Sequence, residues 1–344
     1  MTDLPALAQP VLVTGGLGFI GRHAVDQLLA TGHAVSVFDV PGARVPGHWP
    51  DRVRVIAGDI ANADDVRAAL AGARTVLHTA AVVSDWAPAA DHERVTLQGS
   101  RHVFAEAARS GARVALLSSC AVYGDHIGRK LLHEDLGFGR ALGLYGLYKQ
   151  RQETLAWDFQ REHGLALSVV RPSKVFGPGS KPWVHEVAQV LQKGSPALID
   201  GGRYNPGLVY VDNLVDIFLR AAALPQALGR IYNGYDGTTT TLAEYFTDLA
   251  RIVGAPPPRT LPRWLAEVLA AVSEPTWKLL RLKSRPLLTR DTLRLVSSEY
   301  RISFERARAE LGFTPRVSYA EGLRRVEVYW RDYSRRAGTG SPTR

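Results

Sequence analysis

The chain has 344 residues, 46% of them hydrophobic and 22% charged, with a formal net charge of +9. That composition can bury a large core and the length exceeds one ordinary domain, which excludes a disordered or fibrous protein. No stretch approaches the roughly 18 apolar residues of a membrane-spanning helix, and Cys120 as the only cysteine excludes an intrachain disulfide.

The first element is the apolar run Val11-Leu12-Val13, of the kind buried in parallel sheets, followed at once by Gly15, Gly16, Gly18 and Gly21. Ile20, Ala24 and Leu28 then recur at helical spacing, so the glycines occupy a strand-to-helix turn. Such a turn lets a pyrophosphate approach the helix N-terminus, where unpaired amides and the dipole favour anions. Gly15, Gly18, Phe19, Ile20 and Gly21 are therefore expected cofactor contacts. A second apolar run, Ala34 to Phe38, ends in Asp39, 18 residues beyond Gly21. A carboxylate there accepts from the adenosine ribose hydroxyls and repels a 2′-phosphate, which predicts NAD rather than NADP. Arg44 is the nearby residue that would admit the phosphate instead.

Further apolar runs at Val53, Thr75, Val114 and Leu167 alternate with helical stretches. The pattern predicts an α/β fold, a Rossmann-type doubly wound parallel sheet with a smaller C-terminal substrate domain. The expected boundaries are 1–172 for the NAD-binding part, with return elements around 207–234, and 173–206 with 235–336 for the substrate-binding part. Residues 337–344 read as a disordered tail.

Ser119 ends the run ALLSS, and Tyr145 and Lys149 are four residues apart. Residues at that spacing share a helix face, whereas Tyr148, adjacent to Lys149, points elsewhere. A phenol with a pKa of about 10 is a poor base at neutral pH, and a neighbouring ammonium lowers that value. The reading is that Tyr145 is the acid/base, Lys149 supplies the charge and Ser119 orients the reacting oxygen.

With these motifs in view, the chain from Val11 to about Leu323 resembles the extended short-chain dehydrogenase/reductase superfamily. TGGLGFIG resembles its phosphate-binding glycines, and Gly58-Asp59-Ile60 resembles the segment whose acidic residue contacts adenine. His78-Thr79-Ala80-Ala81 resembles the turn beneath the cofactor. LLSSCAVYG, YGLYK and RPSKVFGPG resemble the serine, tyrosine/lysine and nicotinamide-side segments. The likeness implies Ser119 rather than Ser118 as the catalytic serine, adds Asp59, Ile60, Ala80, Ala81, Tyr145 and Pro172 to the cofactor contacts, and implies that Lys149 also bonds the nicotinamide ribose. Ser84, Tyr123, Lys174 and Trp183 are the candidate substrate residues. One departure stands out: where the family reads NVxGT, this chain has Thr96-Leu97-Gln98-Gly99-Ser100, so the hydrogen bonds of a structural asparagine must be met otherwise.

The second half, including IYNGYDGTTTTLAEYFTDLARIVGAPPP, LPRWLAEVLAAVSE and RPLLTR, resembles the branch of 3β-hydroxysteroid dehydrogenases and sterol-4α-carboxylate 3-dehydrogenases. The related sugar-nucleotide epimerases and dehydratases carry an asparagine where this chain has Lys174. The resemblance implies an NAD(H)-dependent oxidoreductase interconverting a secondary alcohol and a ketone on an apolar, steroid-like or 3-hydroxy acid-like molecule. An NAD-dependent sugar-nucleotide epimerase or dehydratase is the alternative.

Charge is uneven: residues 251–344 hold 19 Lys and Arg against 9 Asp and Glu, while residues 1–250 hold 23 against 24. No nucleic-acid module accompanies the excess, so no nucleic-acid partner is expected. The excess reads first as a solvated face, with peripheral contact to anionic lipid held open. Leu261, Trp264, Leu265, Val268, Leu269 and Val272 form an apolar stripe whose common role is a pocket lid or core contact. Pro275 is expected to end that helix near Glu274. Scattered histidines show no ligand spacing, so no metal is expected, and Cys120 reads as small core filler. The absence of a signal-peptide pattern and the cysteine usage fit the cytoplasm, and a homodimer is held open.

Overall fold

The computed structural model describes residues 4–279, 293–294 and 297–339. The six apolar runs are the strands β1 (Val11–Thr14), β2 (Val35–Asp39), β3 (Arg54–Ala57), β4 (Thr75–His78), β5 (Arg113–Leu117) and β6 (Leu167–Pro172). Four more follow in pairs or singly: β7 (Lys174–Phe176), β8 (Pro196–Ile199), β9 (Leu208–Tyr210) and β10 (Ile231–Gly234), with β11 (Arg259–Leu261) last. Seven of them form one sheet in the order β10-β6-β5-β4-β1-β2-β3, and every neighbouring pair is parallel. Two small parallel pairs, β7 with β9 and β8 with β11, lie outside it.

Alternation along β1 explains why the strands read as continuous apolar runs. Val11 and Val13 enter one core and Leu12 the other, so both faces of the sheet are covered by helices. The first core continues from the sheet through Phe176, Trp183, Tyr210, Tyr245 and Trp330. The strand order reverses between β1 and β4, which opens a crevice at their C-terminal ends, the place where such sheets bind ligands.

Two expectations about the basic third are corrected. The helix there runs Arg263–Leu279, passes through Pro275 and begins after Leu261, which belongs to β11. Proline removes one N–H and crowds the carbonyl four residues back, but it leaves the following turn intact, and the Thr276 hydroxyl donates to the Val272 carbonyl at 2.8 Å. The apolar stripe is not a core contact either. Among the described side chains of the helix, Ala266 and Ala270 are buried, while Trp264, Val268, Leu269 and Val272 are 66%, 52%, 46% and 62% exposed. Small residues let the helix lie close against Ile199 and Leu293, turning the large side chains outward. The last helix, Tyr319–Thr339, carries the chain through residues 337–339, the start of the expected tail. Residues 340–344 and the RPLLTR segment lie outside the described residues.

Candidate active site

The crevice is built first by backbone. Gly15 follows β1 with φ +69°, a left-handed conformation that favours glycine. The Phe19–Ala30 helix starts from Gly18, with no side chain capping its first turn and no acidic residue in it. Its unpaired amides and positive dipole end are thus available to an anion. Asp39 ends β2 beside this loop, its Oδ2 accepting from the Leu17 amide at 2.7 Å and its Oδ1 from the Val40 amide at 2.8 Å. Arg44 is exposed, and its carbonyl accepts from Arg22 at 2.7 Å.

Asp59 lies just beyond β3. The Ala61 amide and the paired Arg94 guanidinium hold its carboxyl below the usual range against partial desolvation. Ile60 is buried against Gly99, where a Cβ would sit 2.7 Å from it. Ala80 and Ala81 follow β4, and the Thr79 hydroxyl ties that turn to the Thr14 carbonyl at 2.7 Å. Pro172 closes β6 in register with Gly234. The uncapped helix start, the close glycine turn and the acidic β2 end together fit a dinucleotide.

Ser119 caps the turn after β5, its Oγ accepting from the Ala121 amide at 3.1 Å. Tyr145 stands in the first turn of the Leu144–His163 helix, where the Ser119 side chain favours the ionised form of its phenol. Lys149 follows one turn later and is buried. Tyr148 faces away, stacked on His92 at 5.0 Å. Ser118 is spent elsewhere, donating to Glu153, whose carboxylate also takes Arg171 at 2.7 Å in a fully buried ion pair.

The electrostatics differ from the expectation that Lys149 lowers the Tyr145 pKa. Burial pushes the phenol up to about 12, outweighing the opposing influence of the Ser119 side chain. Burial also pulls Lys149 down to about 8, with Glu153 opposing. The Lys149 Nζ donates to the Leu117 carbonyl at 3.0 Å and to the Gln152 Oε1 at 2.9 Å.

Sequence reasoning missed the residues behind Lys149. Gln152 Nε2 donates to Ser100 Oγ at 2.7 Å, Ser100 Oγ meets His78 Nε2 at 2.9 Å, and His78 Nδ1 meets Thr14 Oγ1 at 2.7 Å. Thr96, at the asparagine's place, accepts from the Val82 amide at 3.1 Å, within the π-helical turn His92–Gln98. The available signal was a glutamine three residues after Lys149, on the same helix face.

The four candidate substrate residues occupy different settings. Ser84 is half-buried and its hydroxyl accepts from the Trp86 amide at 3.1 Å. Tyr123 is fully buried, donates to Asn233 Oδ1 at 2.6 Å and lies under Arg171, with burial raising its phenol to about 12. Lys174 is buried, donates to the Pro206 carbonyl at 2.7 Å and sits 2.9 Å from the centre of the Tyr300 ring. Burial drives its pKa down, and none of the described carboxylates forms an ion pair with it. Trp183 is buried 5.7 Å from that amine. Cys120 is buried as well, and burial raises its thiol pKa.

Residues 11–233 match the model of the NAD dependent epimerase/dehydratase family. The chain belongs to that family. Among curated family relatives, 2-alkyl-3-oxoalkanoate reductase of Stenotrophomonas maltophilia (strain K279a) is 29% identical, covering 92% of this chain and 98% of the relative. The 3 beta-hydroxysteroid dehydrogenase type 7 of Homo sapiens is 30% identical, with 93% and 94% covered. Among solved structures, the UDP-glucose 4-epimerase of Thermus thermophilus in complex with NAD is 25% identical, with a TM-score of 0.72 and 93% and 98% of the chains covered. The protein is an NAD-dependent oxidoreductase of the extended short-chain type, with a Rossmann-like fold.

Proposed function

We propose that the protein interconverts a ketone and a secondary alcohol on an apolar, 3-oxo acid-like or sterol-like molecule, using Ser119, Tyr145 and Lys149. The observation that carries the chemistry is Tyr145 in the first turn of its helix, one helical turn from buried Lys149, with the Ser119 side chain acting on its phenol from the C-terminal end of β5. Bound NADH would supply the hydride, held by the glycine turn, Asp39 and Lys149. Ser119 donates to the substrate carbonyl oxygen and fixes it beside the phenol, and Tyr145 gives that oxygen its proton. In oxidation the same phenol oxygen takes the proton back.

The names of the curated relatives support a hydrophobic substrate, since they act on alkyl-oxoalkanoates and hydroxysteroids. Lys174 supports it too, because the amine is enclosed by Pro206, Tyr300 and Trp183. The test is incubation with NADH and panels of 2-alkyl-3-oxo acids, 3-keto sterols and UDP-sugars. Stoichiometric NADH consumption with a member of the first two panels is expected. Conversion of a UDP-sugar with no net change in NADH would replace this reading by epimerase chemistry.

A substrate of that kind partitions into lipid, and the exposed stripe Trp264, Val268, Leu269 and Val272 supports peripheral docking on an anionic bilayer. Among the described residues no helix is long and apolar enough to cross a membrane. Liposome sedimentation should show binding that rises with anionic lipid and falls with salt. Equal recovery in the supernatant at low salt, with or without anionic vesicles, would remove the membrane from the proposal.

A further inference from the structure

We infer that Gln152 is a positioning residue for Lys149, holding its ammonium by one side-chain oxygen whose direction is set by a hydrogen-bonded chain reaching back to the end of β1. The inference rests on the catalytic reading above for its rate measurements only.

Lys149 is 3% exposed, so its charge depends on what accepts from Nζ. One acceptor is the Leu117 carbonyl, which the end of β5 fixes; the other is Gln152 Oε1. The adjacent carboxylate, Glu153, takes three hydrogen bonds from Arg171 and one from Ser118. Gln152 is therefore the one side chain bonded to the ammonium among the described residues. Two of the three donor positions of Nζ are taken by these acceptors.

A glutamine can turn either end toward a neighbour, and its nitrogen end would repel the ammonium. The network excludes that. Ser100 spends its proton on the Thr96 carbonyl at 2.5 Å, so its oxygen only accepts, from Gln152 Nε2 and from His78 Nε2. His78 therefore carries its proton on Nε2, and its Nδ1 accepts from the Thr14 hydroxyl. Burial, with Lys149 adding to it, lowers the His78 pKa to about 3, so the ring stays neutral and the chain keeps one polarity throughout the working pH range. Thr14 directly precedes Gly15, so the hydrogen bonds link the strand that carries the glycine turn to the lysine.

The test compares wild type, Gln152→Met and Gln152→Glu, with Ser100→Ala as a gentler change that leaves Gln152 in place. Removing an acceptor disfavours the ammonium, so Lys149 loses its proton at lower pH; a carboxylate in its place does the reverse. In ketone reduction, Gln152→Met should cut kcat by roughly tenfold to a hundredfold, the scale for a lost hydrogen bond to a charged group. KM for the ketone should stay nearly constant. Its alkaline fall-off should begin at lower pH than wild type, that of Gln152→Glu at higher pH, and that of Ser100→Ala should shift as in Gln152→Met but less. NADH titrations by fluorescence should show weaker binding to Gln152→Met than to Gln152→Glu. A role confined to packing lowers thermal stability and leaves the fall-off in place, and that result overturns the inference. Should wild type reduce no ketone, the catalytic reading fails by itself, and the NADH titrations decide this one: equal affinities in all four proteins overturn it.

Discussion

Tyr145→Phe is expected to abolish ketone reduction while leaving NADH affinity nearly unchanged. The substitution removes one oxygen from the first turn of the Leu144–His163 helix and nothing from the glycine turn proposed to hold the cofactor. Loss of a positioned acid or base costs about a hundredfold to ten-thousandfold in rate. Because burial raises the phenol to about 12, Tyr145 carries its proton at neutral pH and is prepared as an acid. Reduction draws on that proton directly. Oxidation needs the deprotonated form, so its rate in wild type should climb with pH, and the residual rate of Tyr145→Phe should not. Steady-state rates in both directions check this. A variant that keeps more than about a tenth of wild-type activity would remove Tyr145 from its role.

What could be read from the chain alone follows physical rules of short range. Buried parallel strands are apolar on both faces, so β1 to β6 stand out as runs, and glycines mark a turn because few other residues fit it. The spacing of Tyr145 and Lys149 is helical geometry. The Lys149 environment is not short-range. Gln152 is near in sequence, but Ser100, His78 and Thr14 come from three other elements, and only the packed fold brings them together. Burial is equally invisible, which is why Tyr145 moves upward in pKa where a lysine at helical spacing argued for downward. The Arg263–Leu279 helix makes the same point differently. An amphipathic pattern says which side chains share a face, and the outcome here was decided by Ala266 and Ala270, small enough to let that opposite face pack.

Gly21→Ala is expected to lower NADH affinity by about a hundredfold, the scale on which a displacement of ~1 Å acts at an active site. Gly21 lies in the Phe19–Ala30 helix, and its φ is outside the left-handed region, so alanine suits the backbone and space alone is at issue. An added Cβ would stand 2.3 Å from the Gly15 carbonyl oxygen and 2.7 Å from the Gly16 Cα, both main-chain atoms that no rotamer change can clear. The Gly15 carbonyl also accepts from the Gly18 amide at 3.0 Å. Relieving the clash therefore moves the loop proposed to present amides to the pyrophosphate, together with the helix end behind it. Overpacking of this kind costs about 1–3 kcal/mol of stability, so the variant should fold, melt at a lower temperature and bind cofactor poorly. Gly47→Ala is the control, because its Cβ would meet nothing within 4 Å. Fluorescence titration with NADH and thermal melts separate the two effects. If Gly21→Ala bound NADH within about threefold of wild type, the helix would not be acting through its distance from the turn, and the cofactor would have to be held mainly by side chains such as Asp39 and Lys149.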